Sequence, residues 1–137
     1  LWVEHCTLLR DRDTSKSPDI GAWNRQVFRQ RIWDNLTANI DRNQGNLLMD
    51  QAWNLILIDH SRAFIDKKDL KGIAPLGRVD RQLWEKMQAL TVEDLDRGLE
   101  KWVGDKEKRA LLTRRDLMAK SIQQLIAKHG EKFVFYD

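Results

Sequence analysis

Cysteine, proline and long apolar runs are all scarce in this 137-residue chain. The single cysteine, Cys6, cannot form an internal disulfide, so cysteine usage gives no sign of an oxidising compartment. Only two prolines and an ordinary apolar share of 42% exclude a fibrous or disordered composition. The longest apolar runs, such as the one at 55–58, are far too short to span a bilayer.

An excess of one charge is also missing. The chain has 24 basic and 21 acidic residues, and a net charge of +3 is too balanced to indicate nucleic-acid binding by itself. No signal peptide is recognisable, which favours a cytoplasmic protein. The length suits one hydrophobic core, so we predict a single domain over residues 1–137.

Apolar periodicity predicts a mainly helical α+β chain with one small hairpin. Two apolar runs at 46–49 and 55–58 flank a turn-compatible segment and predict antiparallel strands. Thr91 and Asp94 resemble a capping box, and Asp19 can cap an earlier helix. The other predicted elements are an extended segment within 2–9, helices over about 19–38, 79–89, 91–104 and 105–130, and a strand over 133–136.

Two further patterns could indicate binding surfaces. Trp23, Trp84 and Trp102 lie on apolar helical faces, so we predict core packing for these three rather than a stacking platform. Residues 106–132 hold eight basic and three acidic side chains. We predict an ordinary solvated helix face there, and the alternative is a site for anionic polymers.

Three oxygen-bearing side chains flank the predicted hairpin. Asp41 follows the first long helix, Asn46 opens the first strand and Asp59 follows the second strand. Since a hairpin brings these ends side by side, Asn46 and Asp59 can converge on a hard divalent cation, which prefers oxygen ligands. Asp41 would then be free to orient or deprotonate a hydroxyl nucleophile, as phosphoryl transfer requires. The alternative is an ordinary hairpin whose polar ends only form turns.

The sequence around this hairpin resembles the protein kinase-like superfamily. The "DRNQGN" of 41–46 and the "LILID" of 55–59 are similar to the catalytic loop and metal-binding strand of phosphatidylinositol kinases, which have Asp-Arg-His-x-x-Asn and then an apolar run ending in Ile-Asp. The intervals, five from Asp41 to Asn46 and eighteen from Asp41 to Asp59, are those of the superfamily. The secretory-pathway casein kinase family is similar at Asn39, Asp41, Arg42, Asp59, Arg62 and Phe64.

The resemblance implies a kinase-like C-terminal lobe in which the small antiparallel hairpin carries the metal site. It implies Asp41 as the catalytic base, with Asn46 and Asp59 as ligands of Mg²⁺ or Mn²⁺ beneath ATP. Arg62 would help to position a phosphate of the nucleotide. The lipid-kinase-like and casein-kinase-like patterns match about equally. The acceptor could therefore be a hydroxyl of a protein, a lipid or a small molecule.

The chain also departs from the family pattern. Asn43 replaces the family histidine. Asp59 is followed by His60 and Ser61, so Ser61 stands at the third position of the motif, where the family has glycine, and this restricts the backbone. For His60 we predict a structural or solvent-facing role rather than metal ligation. These departures motivate the alternative of a non-catalytic, pseudokinase-like binding module.

A glycine-rich phosphate-covering loop is not found either. None of the seven glycines forms the G-x-G-x-x-G pattern, and forty residues before Asp41 are too few for a nucleotide-binding N-terminal lobe. We therefore expect the N-terminal lobe to be absent from this chain, the chain to be a fragment of a longer kinase, and residues 1–137 alone to be inactive.

Overall fold

The computed structural model describes residues 4–137, of which helices are the main component, with 56% helix and 9% strand. This confirms the predicted mainly helical α+β class. The helices are α1 (Ile20–Thr37), α2 (Arg81–Gln88), α3 (Val92–Leu99), α4 (Asp105–His129) and α5 (Glu131–Val134). The strands are β1 (Thr7–Leu8), β2 (Leu47–Met49), β3 (Leu55–Leu57), β4 (Val79–Asp80) and β5 (Phe135–Tyr136).

The predicted hairpin is confirmed, and a third strand extends it. β2 pairs antiparallel with β3, and β1 pairs antiparallel with the other edge of β2, in the order β1-β2-β3. Of the extended segment predicted within 2–9, β1 is the part that forms a strand, Leu9 begins a 3-10 turn, and residues 1–3 lie outside the described residues. Leu47 and Met49 are buried on one face of the sheet, while Leu48 between them is half-buried on the other face.

Helix α1 runs between two separate cores. Its N-terminal half packs Trp23 against Met49 of the sheet, and its C-terminal half packs Ile32 and Leu36 into a larger core with α2, α3 and α4. The apolar residues of α1 therefore do not form one continuous stripe along a single face of the helix. Ile20 at the start of α1 and Ile40, just beyond its end, are 46% and 45% exposed, so neither contributes to a core.

The C-terminal helices begin and end largely where the sequence signals place them. The Thr91 side chain and the Asp94 carboxylate form the predicted capping box at the start of α3. Helix α4 ends at Gly130, whose φ of +86° suits a residue without a Cβ. Buried apolar residues of α4, such as Met118 and Ile122, join the larger core.

Three predictions in this region were wrong. Val79 does not begin a helix: β4 pairs in parallel with β5, and α2 starts only after Asp80, whose side chain accepts a hydrogen bond from the Leu83 N–H. The predicted strand over 133–136 is half helix, because α5 continues through Val134. Trp102 is 81% exposed rather than buried, since a 3-10 turn at Glu100–Trp102 breaks the helical periodicity that pointed it inward.

Within residues 4–137, no helix has both the length and the apolar character needed to cross a bilayer. This agrees with the absence of a long apolar run in the sequence.

Candidate functional site at the end of the hairpin

The Asp41–Asn46 loop is held by its own asparagine side chains. The Asn46 Nδ2 donates to the Asp41 carbonyl oxygen at 2.8 Å, and the Asn43 Nδ2 donates to the same oxygen at 3.2 Å. The Asn43 Oδ1 also accepts from the Gly45 N–H at 2.8 Å. Asn43 therefore braces the loop at the position where the resembled family has histidine.

The hairpin brings Asn46 and the segment preceding Asp59 together. The Ile58 N–H donates to the Asn46 carbonyl oxygen at 3.1 Å, which fixes Asn46 opposite the residue next to Asp59. The two side chains each keep an oxygen that makes no hydrogen bond within residues 4–137: Oδ1 of Asn46 and Oδ2 of Asp59. Both side chains reach solvent, since Asp59 is exposed and Asn46 is half-buried.

Arg42 joins the adjacent ends of strands β2 and β3 to helix α1. Its guanidinium donates from Nη1 to the carbonyl oxygens of Asn46 and Ile58, both at 2.9 Å. Its Nε and Nη2 bind the two carboxylate oxygens of Asp34 at 3.0 Å. Both side chains are buried, at 8% exposure for Arg42 and 1% for Asp34. The charge pair is thus fully hydrogen-bonded, as burial of two charges requires.

Asp59 adopts a backbone conformation that is uncommon for a residue with a side chain. Its φ is +52°, in the left-handed region. The Ser61 hydroxyl and backbone N–H both donate to Asp59 Oδ1, at 2.6 and 3.3 Å. The hydroxyl hydrogen bond, followed by the backbone one, lowers the pKa of Asp59, so this carboxylate is ionised at neutral pH. Ser61 therefore closes a turn on Asp59 without a glycine.

Arg62 lies beside Asp41. The Arg62 Nε is 3.8 Å from Asp41 Oδ2, and the two side chains are 65% and 52% exposed. An ion pair this exposed contributes little to stability. Both groups remain free to reorient toward a ligand.

His60 faces the protein rather than the Asn46–Asp59 pair. Its Nε2 lies 3.3 Å from Nη2 of Arg42, and since a guanidinium can only donate, Nε2 is the acceptor in this contact. The Trp33 ring packs edge-on against both His60 and Phe64, with ring centroids 6.3 and 6.2 Å apart. This geometry is that of a structural histidine.

A second buried arginine fixes the segment that follows Asp59. Arg114 of α4 is fully buried and donates from Nε and Nη2 to the Leu36 carbonyl oxygen at 3.0 and 2.8 Å. Its Nη1 donates to the carbonyl oxygens of Ile65 and Lys67. Burial lowers the pKa of Arg114 to about 10, which still leaves it charged at neutral pH. The Phe64 N–H adds a 2.6 Å hydrogen bond to the Thr37 carbonyl oxygen.

An apolar strip leads up to the site on the outer face of the sheet. Leu8, Leu48 and Ile56 lie opposite one another across the three strands and are half-buried. None of the three belongs to either core cluster. The Asn46–Ile58 pair lies two residues further along the same two strands, next to Asp59.

Residues 4–137 contain no cluster of three carboxylate, imidazole or thiol groups that could hold a metal ion by themselves. A hard cation such as Mg²⁺ can bind where the protein supplies only two oxygen donors, because water molecules or substrate oxygens complete its coordination shell. The unengaged oxygens of Asn46 and Asp59 are of the type that such an ion prefers.

Half of the basic side chains in the alternative site at 106–132 are buried or form ion pairs within the fold. Among the eight basic residues of 106–132, Lys108 and Arg114 are buried. Lys106 pairs with Asp66, and Arg115 pairs with Asp116. The other four, Arg109, Lys120, Lys128 and Lys132, are exposed.

Sequence reasoning identified Asp41, Asn46, Asp59 and Arg62 but gave no role to Arg42 or Arg114. Arg42 was noted only as part of a motif, although its pairing with Asp34, eight residues earlier, holds the site. A buried arginine bound to carbonyl oxygens leaves no local sequence pattern, since Arg114 is 78 residues from Leu36.

Comparison of this chain with known protein families, curated proteins and solved structures finds no significant match.

Proposed function

We propose that this chain is the C-terminal lobe of a kinase-like phosphotransferase, which transfers a phosphoryl group from ATP to a hydroxyl acceptor. The observation that carries the proposal is the pair of unengaged oxygens, Asn46 Oδ1 and Asp59 Oδ2, at adjacent ends of one hairpin. The resemblance of the 41–59 sequence to the kinase-like superfamily supports the same assignment.

In this proposal Asn46 and Asp59 hold Mg²⁺ or Mn²⁺. The Asn46 amide is oriented for this role because its Nδ2 is committed to the Asp41 carbonyl, which leaves only the oxygen to face a cation. Asp59 is ionised because the Ser61 hydrogen bonds lower its pKa. A bound divalent ion would neutralise negative charge on the phosphate oxygens of ATP.

Asp41 acts as the base in this proposal. Its carboxylate is exposed, while its backbone is fixed by two asparagine side chains, so the group is accessible yet held in place. It would accept the proton of the acceptor hydroxyl as the new bond to phosphorus forms. Arg62, 3.8 Å from Asp41, would swing from this carboxylate to a phosphate oxygen when the nucleotide binds.

The apolar strip of Leu8, Leu48 and Ile56 suits the base of the nucleotide. Flat aromatic ligands bury against apolar side chains, and this strip lies two residues along the sheet from the Asn46–Ile58 pair. The sequence carries no glycine-rich motif to cover the phosphates, so we expect residues 1–137 alone to bind Mn²⁺ and nucleotide weakly and without turnover.

The experiment that tests the proposal is phosphoryl transfer by the full-length protein, with the variants Asp41→Ala and Asp59→Ala. We expect each variant to lose at least about a hundredfold in rate, the usual effect of removing a general base or a metal ligand. Asp11→Ala, which changes an exposed aspartate in the turn that follows β1, is the matched control and should retain the wild-type rate. Wild-type rates in both site variants would refute the assigned roles.

A non-catalytic, pseudokinase-like module is the second candidate. Asn43 and Ser61, which replace the family histidine and glycine, favour it, and both side chains act as braces in this fold. Titration of the full-length protein with Mn²⁺ and ATP separates the two: binding without phosphoryl transfer to any acceptor or to water would favour the module.

A further inference from the structure

Strand β3 lies at an edge of the three-stranded sheet, with no further strand beside it in the part of the chain that the structure describes. The Ile58 N–H donates to the Asn46 carbonyl oxygen across β3 and β2. Hydrogen-bonded and non-hydrogen-bonded pairs alternate along an antiparallel ladder, so the backbone groups of Leu55 and Leu57 point away from β2. These groups form the free edge of the sheet.

One end of this free edge is covered by a side-chain amide. The Gln26 Nε2 donates to the Trp53 carbonyl oxygen at 2.8 Å, and its Oε1 accepts from the Leu55 N–H at 2.7 Å. One residue of a parallel neighbouring strand would bridge these two groups in the same way, with its own N–H and C=O. The next such pair along the edge is the Leu55 carbonyl oxygen and the Leu57 N–H. Neither forms a hydrogen bond with any residue in the range 4–137.

A groove of about 490 Å³ lies between α1, β3 and the start of α2. Gln26, Leu55 and Leu57 all line it, which places the open backbone pair beside the groove. Trp33 and Leu83 add apolar wall, and Trp33 is 41% exposed. A concave, mostly apolar space of this size is typical of a binding site.

The groove favours a ligand without charge. None of the described residues that line it carries a carboxylate. Its one arginine, Arg29, is already paired with the buried Asp80, at 2.6 Å between Nη2 and Oδ2. A charged group would lose hydration here without gaining a counter-charge, whereas an apolar side chain would be buried favourably.

The edge of β3 also lacks the usual protection of an edge strand. Native proteins protect such edges from pairing with lysine, proline or a β-bulge. Residues Leu55–Leu57 are all apolar and pair with β2 in an unbroken register. An edge of this kind is a template for a strand of another chain.

We propose that the edge of β3 pairs with an extended segment of a partner protein, which runs parallel to β3 and places an apolar side chain in the groove. A single residue of such a segment supplies both the N–H for the Leu55 carbonyl oxygen and the C=O for the Leu57 N–H. A lipid chain would fill the groove but would leave both backbone groups without partners. The proposal does not depend on the phosphotransferase assignment.

The direct test is a ¹⁵N–¹H spectrum of residues 1–137 during a titration with a mixture of blocked pentapeptides that alternate threonine with valine, leucine or phenylalanine. We expect the Leu57 N–H signal to move downfield with saturation, at a dissociation constant of about 1 mM for two backbone hydrogen bonds and one buried side chain. When the apolar side chains enter the groove, the threonines turn their N–H toward β3. The same peptides N-methylated at the threonines should therefore bind at least about fivefold more weakly.

Variants locate the binding in the groove. Trp33→Ala removes part of the wall and should weaken peptide binding at least about fivefold. The matched control is Trp102→Ala, which changes an exposed tryptophan outside the groove and should leave the affinity unchanged. Since Trp33 belongs to neither core cluster, Trp33→Ala is expected to fold, and the comparison of the two peptide sets needs no variant.

Three results would overturn the proposal. If the Leu57 signal responds to none of the peptides, or if the N-methylated and unmodified peptides bind equally well, no strand is added to β3. Equal affinities in the two tryptophan variants would show that the groove does not take part. A Leu57 shift that depends on protein concentration without peptide would show that a second copy of this chain occupies the edge instead.

Discussion

The hairpin region, residues 38–64, and the helical region, residues 81–129, are held together by different interactions. The hairpin region is joined to α1 by the ion pair of Arg42 with Asp34 and by the small core that contains Trp23 and Met49. Within the region, hydrogen bonds from Arg42 and Asn46 to backbone carbonyls fix the loop. The helical region is joined by apolar side chains such as Met118 and Ile122. Of the six described residues with positive φ that are not glycine, four lie in the hairpin region: Ala38, Trp53, Asp59 and Phe64.

The difference shows which part of the fold holds residues in unfavourable backbone conformations. Unusual backbone conformations persist only where the surroundings impose them, and they concentrate at functional sites. Polar clamps have directional geometry, so they fix carbonyls and side chains more exactly than apolar contacts do. The helical region also contains a buried hydrogen-bonded arginine, Arg114, but its interior consists mainly of well-packed apolar side chains. We therefore expect mutations in the two regions to separate ligand binding from stability.

The largest expected effect on stability is at Arg42. Arg42→Met leaves the Asp34 carboxylate buried without its counter-charge and should lower the free energy of unfolding by about 3–5 kcal/mol. Denaturation in urea measures this, with Arg25→Met as an exposed control expected within about 0.5 kcal/mol of wild type. Adding Asp34→Leu should recover much of the loss. A loss below about 1 kcal/mol for Arg42→Met would mean that the pair does not hold the region.

A core truncation in the helical region provides the other half of the comparison. Met118 is fully buried, so Met118→Ala should cost about 3 kcal/mol in unfolding free energy through lost burial and the cavity it leaves. Because Met118 belongs to the larger core and not to the hairpin end, we expect the affinity of the remaining folded protein for Mn²⁺ to be unchanged. A parallel loss of Mn²⁺ affinity would show that the two regions are not separable.

Acid should weaken the junction between α1 and α2 through Asp80. Burial raises the pKa of Asp80, but hydrogen bonds from the Leu83 N–H and from Arg29, together with the Arg29 charge, lower it below its ordinary value. A lowered native pKa stabilises the fold above the ordinary carboxylate pKa, and this stability is lost as the pH falls. Unfolding curves measured between about pH 2 and 5 should therefore be less pH-dependent in Asp80→Asn than in wild type. An identical dependence in both would remove Asp80 from this role.

A smaller effect is expected at the capping box of α3. Thr91→Ala removes the side-chain acceptor for the Asp94 N–H and should cost about 1 kcal/mol in unfolding free energy. Thr91→Ser keeps the hydroxyl and should lie close to wild type. Equal stability of the alanine and serine variants would indicate that the cap does not contribute.

The smallest effect is expected at Trp102, which was wrongly predicted to be in the core. With 81% of its surface exposed, Trp102→Ala should change the free energy of unfolding by less than about 0.5 kcal/mol. A loss of several kcal/mol would restore the core assignment. Trp84→Ala, a buried tryptophan on a neighbouring helix, should cost about 3–5 kcal/mol in the same assay.

Local signals in the sequence predicted the local elements well. Asp19, the Thr91–Asp94 pair and Gly130 mark helix ends that the structure retains, because caps act within one turn of the chain. The hairpin followed from two apolar runs and a short turn. What failed depended on partners distant in sequence: Val79 forms a strand only because it meets Phe135.

The candidate site was predictable in its acidic and amide residues but not in its supports. Spacing alone suggested that Asp41, Asn46 and Asp59 meet near the hairpin end. The role of Arg42 depends on its contact with Ile58, sixteen residues away, and the role of Arg114 depends on carbonyls of α1. Hydrogen bonds to backbone oxygens carry no side-chain signature in the partner, so a single sequence cannot reveal them.

Binding of Mn²⁺ to residues 1–137, followed by electron paramagnetic resonance, tests most directly whether Asn46 and Asp59 share one cation. We predict that Asp59→Asn and Asn46→Ala each weaken the affinity at least tenfold, while Asp11→Asn leaves it unchanged. Equal affinities in wild type and both site variants would contradict the account, because the hairpin end would then hold no cation.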